Sequence, residues 1–378
     1  MIQHARLLFA AAFIAFAPHN ARAASEIVIG QVAPFSGPLA PTGEHMRAGA
    51  QIYFDRINAE GGIHGAKLRL VTKDDGYKIS ETVRLTRELL AEHKPLALFG
   101  LVGTGNVAAL LEARVLDEEG IPAVGIRTGA TSLIEPPHRW LFIGRASYAT
   151  EVEKMVQHMS ATGIRRIAVF YQDDPFGEDG LRAAERAAQA LGVELAAKAG
   201  YEKNTTKVEN AVATLLAAAP QSIVMISNTA ASSEFVRQYR AGGGDAQLMA
   251  LSTTDGPQVV TRIGKETAHG LGIAQVVPDP SNRAMAIVRE VQEVYRASSP
   301  AGIELNHTLV QGYIGAALLV EGLRRAGPNP TRRVLRDALE SLHDLDLGGI
   351  TVNFSPRNHT GIDYVDITIL NRHGRILR

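Results

Sequence analysis

From residue 27 onward the chain alternates short apolar runs with longer segments of helical spacing, and it does so twice. Strand signals fall over 27–29, 67–71, 96–99 and 121–126, with helix signals over 44–59, around 83–90 and from 107 to 115. Apolar runs this short suit strands covered on both faces, as in a parallel sheet. The order restarts after Arg145, with strands over 167–171, 193–197, 223–227, 248–251 and 271–277 and helices over 180–191, 208–218 and 232–241. Short connections between alternating elements predict an α/β fold with doubly wound parallel sheets in two similar lobes. Residues 282–342 are expected to be mostly helical, and 350–354 and 364–370 to be closing strands. No low-complexity linker separates the halves, which suits a hinge better than a tether.

The turn after the run at 96–99 carries the most chemistry. Gly103 and Gly105 let the backbone approach another group closely, and Thr104 or Asn106 can cap the following helix. Ligands of open α/β sheets sit beyond the carboxyl ends of the strands, where a helix start offers free N–H groups. This turn is therefore expected to hold a small anion or carboxylate. The same residues also read as a glycine turn that only joins strand to helix.

The first residues read as an export leader. One Arg and one His precede an unbroken apolar run over 7–17, and Ala21-Arg22-Ala23 is a small-x-small cleavage site, so the mature chain is expected to begin at Ala24. The run is too short to serve as a mature membrane span, so a periplasmic protein without a direct membrane anchor is expected. The absence of cysteine excludes disulfides, thiolate metal sites, cysteine catalysis and a lipidated N-terminal cysteine. Without the leader, 37 basic residues face 39 acidic ones, which argues against nucleic acid as a partner.

Catalytic and cofactor patterns are missing. The chain has no G-x-S-x-G elbow, phosphate loop or H-E-x-x-H helix, and its twelve His residues include no pair at i, i+4. The acidic turn Asp173, Asp174, Glu178 and Asp179 lacks the ligand order of a calcium loop. Gly103-Thr104-Gly105 lacks the third glycine of a dinucleotide site. No metal, cofactor or catalytic residue is assigned.

Several segments, in order along the chain, resemble the branched-chain amino acid (leucine-binding) class of type I periplasmic substrate-binding proteins that serve ABC importers. They are Ala33-Pro34-Phe35-Ser36-Gly37-Pro38, Asn58-Ala59-Glu60-Gly61-Gly62-Ile63-His64-Gly65, Asp74-Asp75, Glu118-Glu119-Gly120-Ile121-Pro122, Arg145-Ala146-Ser147-Tyr148, Gln172-Asp173-Asp174-Pro175-Phe176-Gly177, Glu266-Thr267-Ala268-His269-Gly270-Leu271 and Phe354-Ser355-Pro356. The resemblance implies two Rossmann-like lobes joined by a three-crossover hinge, lobe 1 from 24–144 and 280–362 and lobe 2 from 145–279 and 363–378. It also implies two carboxylate loops in lobe 1, Gly103-Thr104-Gly105 and Gly129-Ala130-Thr131, in which neutral donors suffice without an arginine. Thr131 also reads as a simple helix cap. From lobe 2, Tyr148, Phe176, Asn228 and the turn containing Thr253 are expected to face the ligand. Leucine-type members look as if they place an aromatic at Thr42, an Asp near Thr150 and a Glu near Thr253. With threonine at all three, either Asp255 or Asp174 supplies the charge for an ammonium, or the ligand lacks one.

The resemblance implies a monomer that closes on a small amino acid, carboxylate or amide and presents it to the membrane permease of an ABC importer. A sensor of the same fold reporting to a membrane receptor is the alternative. An enzymatic reading needs a nucleophile or cofactor loop that is not found, and a DNA-binding regulator needs an N-terminal helix pair where the leader stands.

Overall fold

The computed structural model describes residues 26–378; the expected leader, Met1 to Ala23, lies outside them. In chain order the strands are β1 (Glu26–Ala33), β2 (Lys67–Asp74), β3 (Ala97–Phe99), β4 (Ala123–Val124), β5 (Leu141–Phe142), β6 (Arg166–Asp173), β7 (Glu194–Glu202), β8 (Ser222–Ile226), β9 (Gln247–Ala250) and β10 (Gly272–Gln275). They continue with β11 (Leu345–Asp346), β12 (Thr351–Ser355), β13 (Asn358–Gly361), β14 (Asp366–Leu370) and β15 (Ile376–Leu377). One sheet runs β2-β1-β3-β4-β5 with every pairing parallel. The other runs β15-β14-β10-β9-β8-β6-β7, parallel except where β14 and β15 join antiparallel at one edge. All of β3 and β8 is buried, as strands sandwiched between helix layers must be.

The chain crosses between the sheets three times, over 143–147, 276–285 and 362–365. Strand order reverses between β1 and β3 in the first lobe and between β6 and β8 in the second. At such switch points the loops diverge and leave a crevice at the carboxyl ends. The two crevices face each other.

Helix 282–342 resolves into three helices, Ala286–Ser298, His307–Ala326 and Arg332–Glu340, which return to the first lobe. His307–Ala326 is buried on almost every side and crosses Ala40–Ala59 at very short range. A Cβ on Gly49 would lie 2.1 Å from the Leu309 carbonyl oxygen, and one on Gly312 would lie 2.3 Å from that of Met46. The two backbones touch because glycine stands at both crossing positions.

Four expectations need correction. The helix expected over 107–115 breaks at Arg114 (φ 53°), giving Thr104–Glu112 and Val115–Glu119. Its N-cap is Gly103 (φ 99°), so neither Thr104 nor Asn106 caps it. Only Ala123–Val124 of the strand expected over 121–126 is paired. The strand near 350–354 joins neither main sheet but lies in the antiparallel set β11-β12-β13. Among the described residues no helix is long and apolar enough to cross a membrane.

A methyl group at the glycine crossing has no room. Gly312→Ala is expected to lower stability by about 1–3 kcal/mol, read as a lower thermal midpoint of the purified protein; an unchanged midpoint would refute the close-packed crossing.

Candidate ligand-binding cleft

The facing loops enclose one small cavity. From the first lobe it is lined by Leu39 and Thr42 beyond β1, Tyr77 beyond β2, Val102, Gly103 and Thr104 beyond β3, and Arg127 beyond β4. The second lobe adds Tyr148 after the first crossover, Phe176 beyond β6, Asn228 beyond β8 and Thr253 beyond β9. The cavity measures ≈ 30 Å³, room for about two water-sized groups, so the lobes are shut against each other.

Direct hydrogen bonds hold them there. Asp179 Oδ2 accepts the Thr131 backbone N–H at 3.0 Å, and Lys203 Nζ donates to Asn106 Oδ1 at 2.9 Å. Gln172 Nε2 donates to the Tyr77 hydroxyl at 3.2 Å and Asn204 Nδ2 to the Gly76 carbonyl at 3.3 Å. The Lys203 ammonium lies 4.0 Å from the centre of the Tyr77 ring. Tyr77 is buried, and desolvation with the nearby Asp174 charge pushes its hydroxyl well above the usual range, so it stays neutral.

The cleft floor is a polar hub centred on Ser252. Its N–H donates to Glu151 Oε2 at 2.8 Å, its hydroxyl accepts from Arg145 at 3.0 Å, and its carbonyl accepts from Arg127 Nη2 at 3.2 Å. Arg145 and Glu151, both fully buried, form an ion pair. Arg127 also donates to the side chains of Gln311 and, at 3.3 Å, Thr308. Burial, reinforced by the Arg145 charge, lowers its pKa to about 10, which leaves it protonated at neutral pH.

Of the candidates read from sequence, Gly103, Thr104, Tyr148, Phe176, Asn228 and Thr253 come together around this cavity. Thr104 Oγ1 shares a 2.7 Å hydrogen bond with Thr128 Oγ1, and the Tyr148 and Phe176 rings meet edge to face at 5.1 Å. Asn228 caps the helix Thr229–Ala241 through Oδ1. The remaining candidates lie off the cavity. Gly105 sits at the lobe contact, where a Cβ would lie 3.6 Å from Pro175 and 3.7 Å from Lys203 Nζ. Gly129 lets its loop meet the crossover, since a Cβ would lie 2.9 Å from the Ala146 oxygen. Ala130 caps the short helix Thr131–Ile134, and the Thr131 N–H is taken by Asp179, with its hydroxyl buried and unpartnered.

Asp174 and Asp255 likewise serve as helix caps. Asp174 accepts from the N–H groups of Phe176 and Gly177, from Gln172, and pairs with Lys203 at 3.4 Å. Asp255 Oδ1 accepts from the Gln258 N–H, Oδ2 is buried without a partner, and burial pushes the carboxyl up. Thr150 bonds Ser147 at the start of its own helix. The acidic turn at 173–179 is thus spent on capping and lobe contact, and among the described residues no group of three or more metal-ligating side chains converges. Sequence reasoning passed over Arg127, Tyr77, Leu39 and Val102. For Arg127 the available signal was its place directly before Thr128-Gly129, at the carboxyl end of a strand.

A family model described as periplasmic binding protein matches residues 26–375, nearly the whole described chain. The chain belongs to this family. It is 38% identical to a substrate-binding periplasmic protein from Ralstonia solanacearum, whose crystal structure superposes with a TM-score of 0.89 over 93% of this chain and 99% of that one. It is 25% identical to Leu/Ile/Val-binding protein homolog 7 of Brucella suis over 346 residues, 86% of this chain and 83% of that protein. A branched chain amino acid ABC transporter structure from Thermus thermophilus with bound valine shares the fold at a TM-score of 0.84 and 19% identity, over 93% of this chain and 95% of that one. The architecture is that of a type I periplasmic binding protein, and the chain is a binding protein rather than an enzyme.

Behind Arg127, His307 is buried with Nε2 unpartnered, and desolvation lowers its pKa to about 4, Arg127 reinforcing the shift against the attraction of Asp279. A folded pKa below the unfolded value of 6.5 means that only the unfolded chain takes up this proton between the two values. Stability is therefore expected to fall by roughly 3 kcal/mol as pH drops from 6.5 to about 4 on account of this group. His307→Gln is expected to flatten that part of the slope in urea melts at pH 7 and pH 4.5; an identical slope in the variant would remove His307 from the account.

Proposed function

We propose that the chain is the periplasmic solute-binding component of an ABC importer, shutting its two lobes on a small amino acid, carboxylate or amide. The observation that supports this most is the division of labour at the cavity. Each lobe supplies part of its lining, and the Asp179, Lys203, Gln172 and Asn204 bonds across the mouth exist only when the lobes meet. A ligand that touches both sets of loops therefore favours the shut arrangement by its differential contacts. The shut form, bringing together surface from both lobes, is what a membrane permease would recognise. The family and the expected leader both support a periplasmic location, and the chain is read as a monomer.

Binding is tested on mature protein, refolded to remove carried-over solute, by thermal shift against amino acids, small carboxylates and amides. A ligand at a hundredfold its dissociation constant is expected to add about 2.7 kcal/mol of stability. No shift with any of them would overturn the assigned ligand class.

Closure itself is testable at Asp179. Removing the carboxylate leaves the part-buried Thr131 N–H without its acceptor in the shut form only. Asp179→Ala is expected to weaken ligand binding about 10- to 100-fold and to raise the ligand-bound radius of gyration in small-angle scattering. Unchanged affinity would show that this bond does not hold the shut state.

A further inference from the structure

We infer that the cleft selects a small monocarboxylate without an α-ammonium and that Arg127 is the residue that selects it. The inference rests on the solute-binding reading above and names the ligand class for the same cavity.

Among the described residues lining the cavity, Arg127 is the one charged side chain, and none is Asp or Glu. Its guanidinium donates only to neutral oxygens, those of Gln311, Ser252 and Thr308. The carboxylates nearby are committed elsewhere. Glu151 serves Arg145 and the Ser252 N–H, Asp174 serves Phe176, Gly177, Gln172 and Lys203, and Asp179 serves Thr131. Asp255 keeps an unpartnered Oδ2, but it does not line the cavity and makes no ion pair with Arg127.

Arg127 feels the charges of Asp255 and Glu151 but touches neither, so a ligand carboxylate at its guanidinium would be its one direct ion pair. With both Nη2 hydrogens and one on Nη1 taken by Ser252, Thr308 and Gln311, the Nε–H and the remaining Nη1–H are left for single hydrogen bonds to a carboxylate, and the first-turn N–H groups of the helix Thr104–Glu112 add weaker support. An α-ammonium would place a second cation beside Arg127. The polar groups left to receive it, on Thr42, Thr104, Asn228 and Thr253, are all neutral. Around these lie Leu39, Val102, Tyr77, Tyr148 and Phe176; the shut cavity of ≈ 30 Å³ takes only the smallest acids, and a longer aliphatic or aromatic tail would pack on these side chains only as they and the lobes part to admit it.

The test is calorimetric binding to ligand-free mature protein of acids from acetate to 3-phenylpropanoate, each beside its 2-amino counterpart, such as 4-methylpentanoate beside leucine. The acid is expected to bind at least about 100-fold more tightly than the amino acid of its pair. Arg127→Gln is expected to weaken acid binding at least ~30-fold, with Arg127→Lys falling between. A thermal melt checks that each variant folds, and where one does not, the preference of the unaltered protein within the pairs decides alone. Preference for the amino acids, or a folded Arg127→Gln variant that keeps its affinity for the acid, overturns this inference and leaves the solute-binding reading standing. No heat and no thermal shift with any member of either series overturns this inference, and a blank result in the wider screen of amino acids, carboxylates and amides as well overturns the assigned ligand class.

Discussion

Each lobe leaves some of its cleft-facing polar groups for the other to satisfy. The loops at the carboxyl ends of two parallel sheets carry helix starts and turn carbonyls whose partners are not local, and burying such groups unpaired costs more than a hydrogen bond returns. The structure resolves this by pairing them across the gap. Thr131 offers an N–H and Asp179 an acceptor; Asn106 offers an oxygen and Lys203 a donor; the Ser252 carbonyl receives Arg127. Because these partners come from different sheets, closure and satisfaction are one event. Opened, the same groups are solvated. The two states then differ by an exchange of water for protein partners, a small difference that ligand contacts can tip.

The hinge side of the cleft is held by different means. Arg145 lies in the first crossover, Glu151 in the helix that follows it, and Ser252 in the loop beyond β9, so the buried ion pair fixes the crossover to the second sheet. Removing one partner would leave a buried charge unpaired, which is far more costly than the pair is stabilising. His307 and Gln311, on the long buried helix, carry this polar layer into the first lobe through Arg127. The Arg145–Glu151–Ser252 part of the floor thus ties the crossover to the second sheet, while the Arg127–Ser252 bond, like those across the mouth, joins the two lobes.

The fold was legible in the sequence because its strands are apolar and its connections short. β3 and β8 are buried on both faces and read as unbroken hydrophobic runs. What escaped was set by distant contacts. β5 is two residues long and exists only because β4 offers it an edge, which no periodicity can signal. Arg127 looks like a solvated charge in a glycine turn, and it is buried only because Gln311 and Thr308, more than 180 positions away, close over it. Asp174 and Asp255 carry a second signal. Each stands immediately before a Pro-containing first helical turn, and that capping signature is the stronger reading of both.

These placements bear on how such a cleft distinguishes solutes. A pocket built from threonine hydroxyls and backbone N–H groups accepts any carboxylate of suitable size, so it discriminates little by itself. Charge placed at the floor changes that. A buried guanidinium cannot readily shed its proton, because even lowered to about 10 its pKa stays far above neutral pH. It therefore imposes a fixed positive potential on a cavity of low dielectric, where like charges repel strongly. Discrimination then comes from what the cavity excludes as much as from what it binds. On the proposed reading, one residue in a loop sets the ligand class, separately from the sheets, the crossovers and the bonds across the mouth.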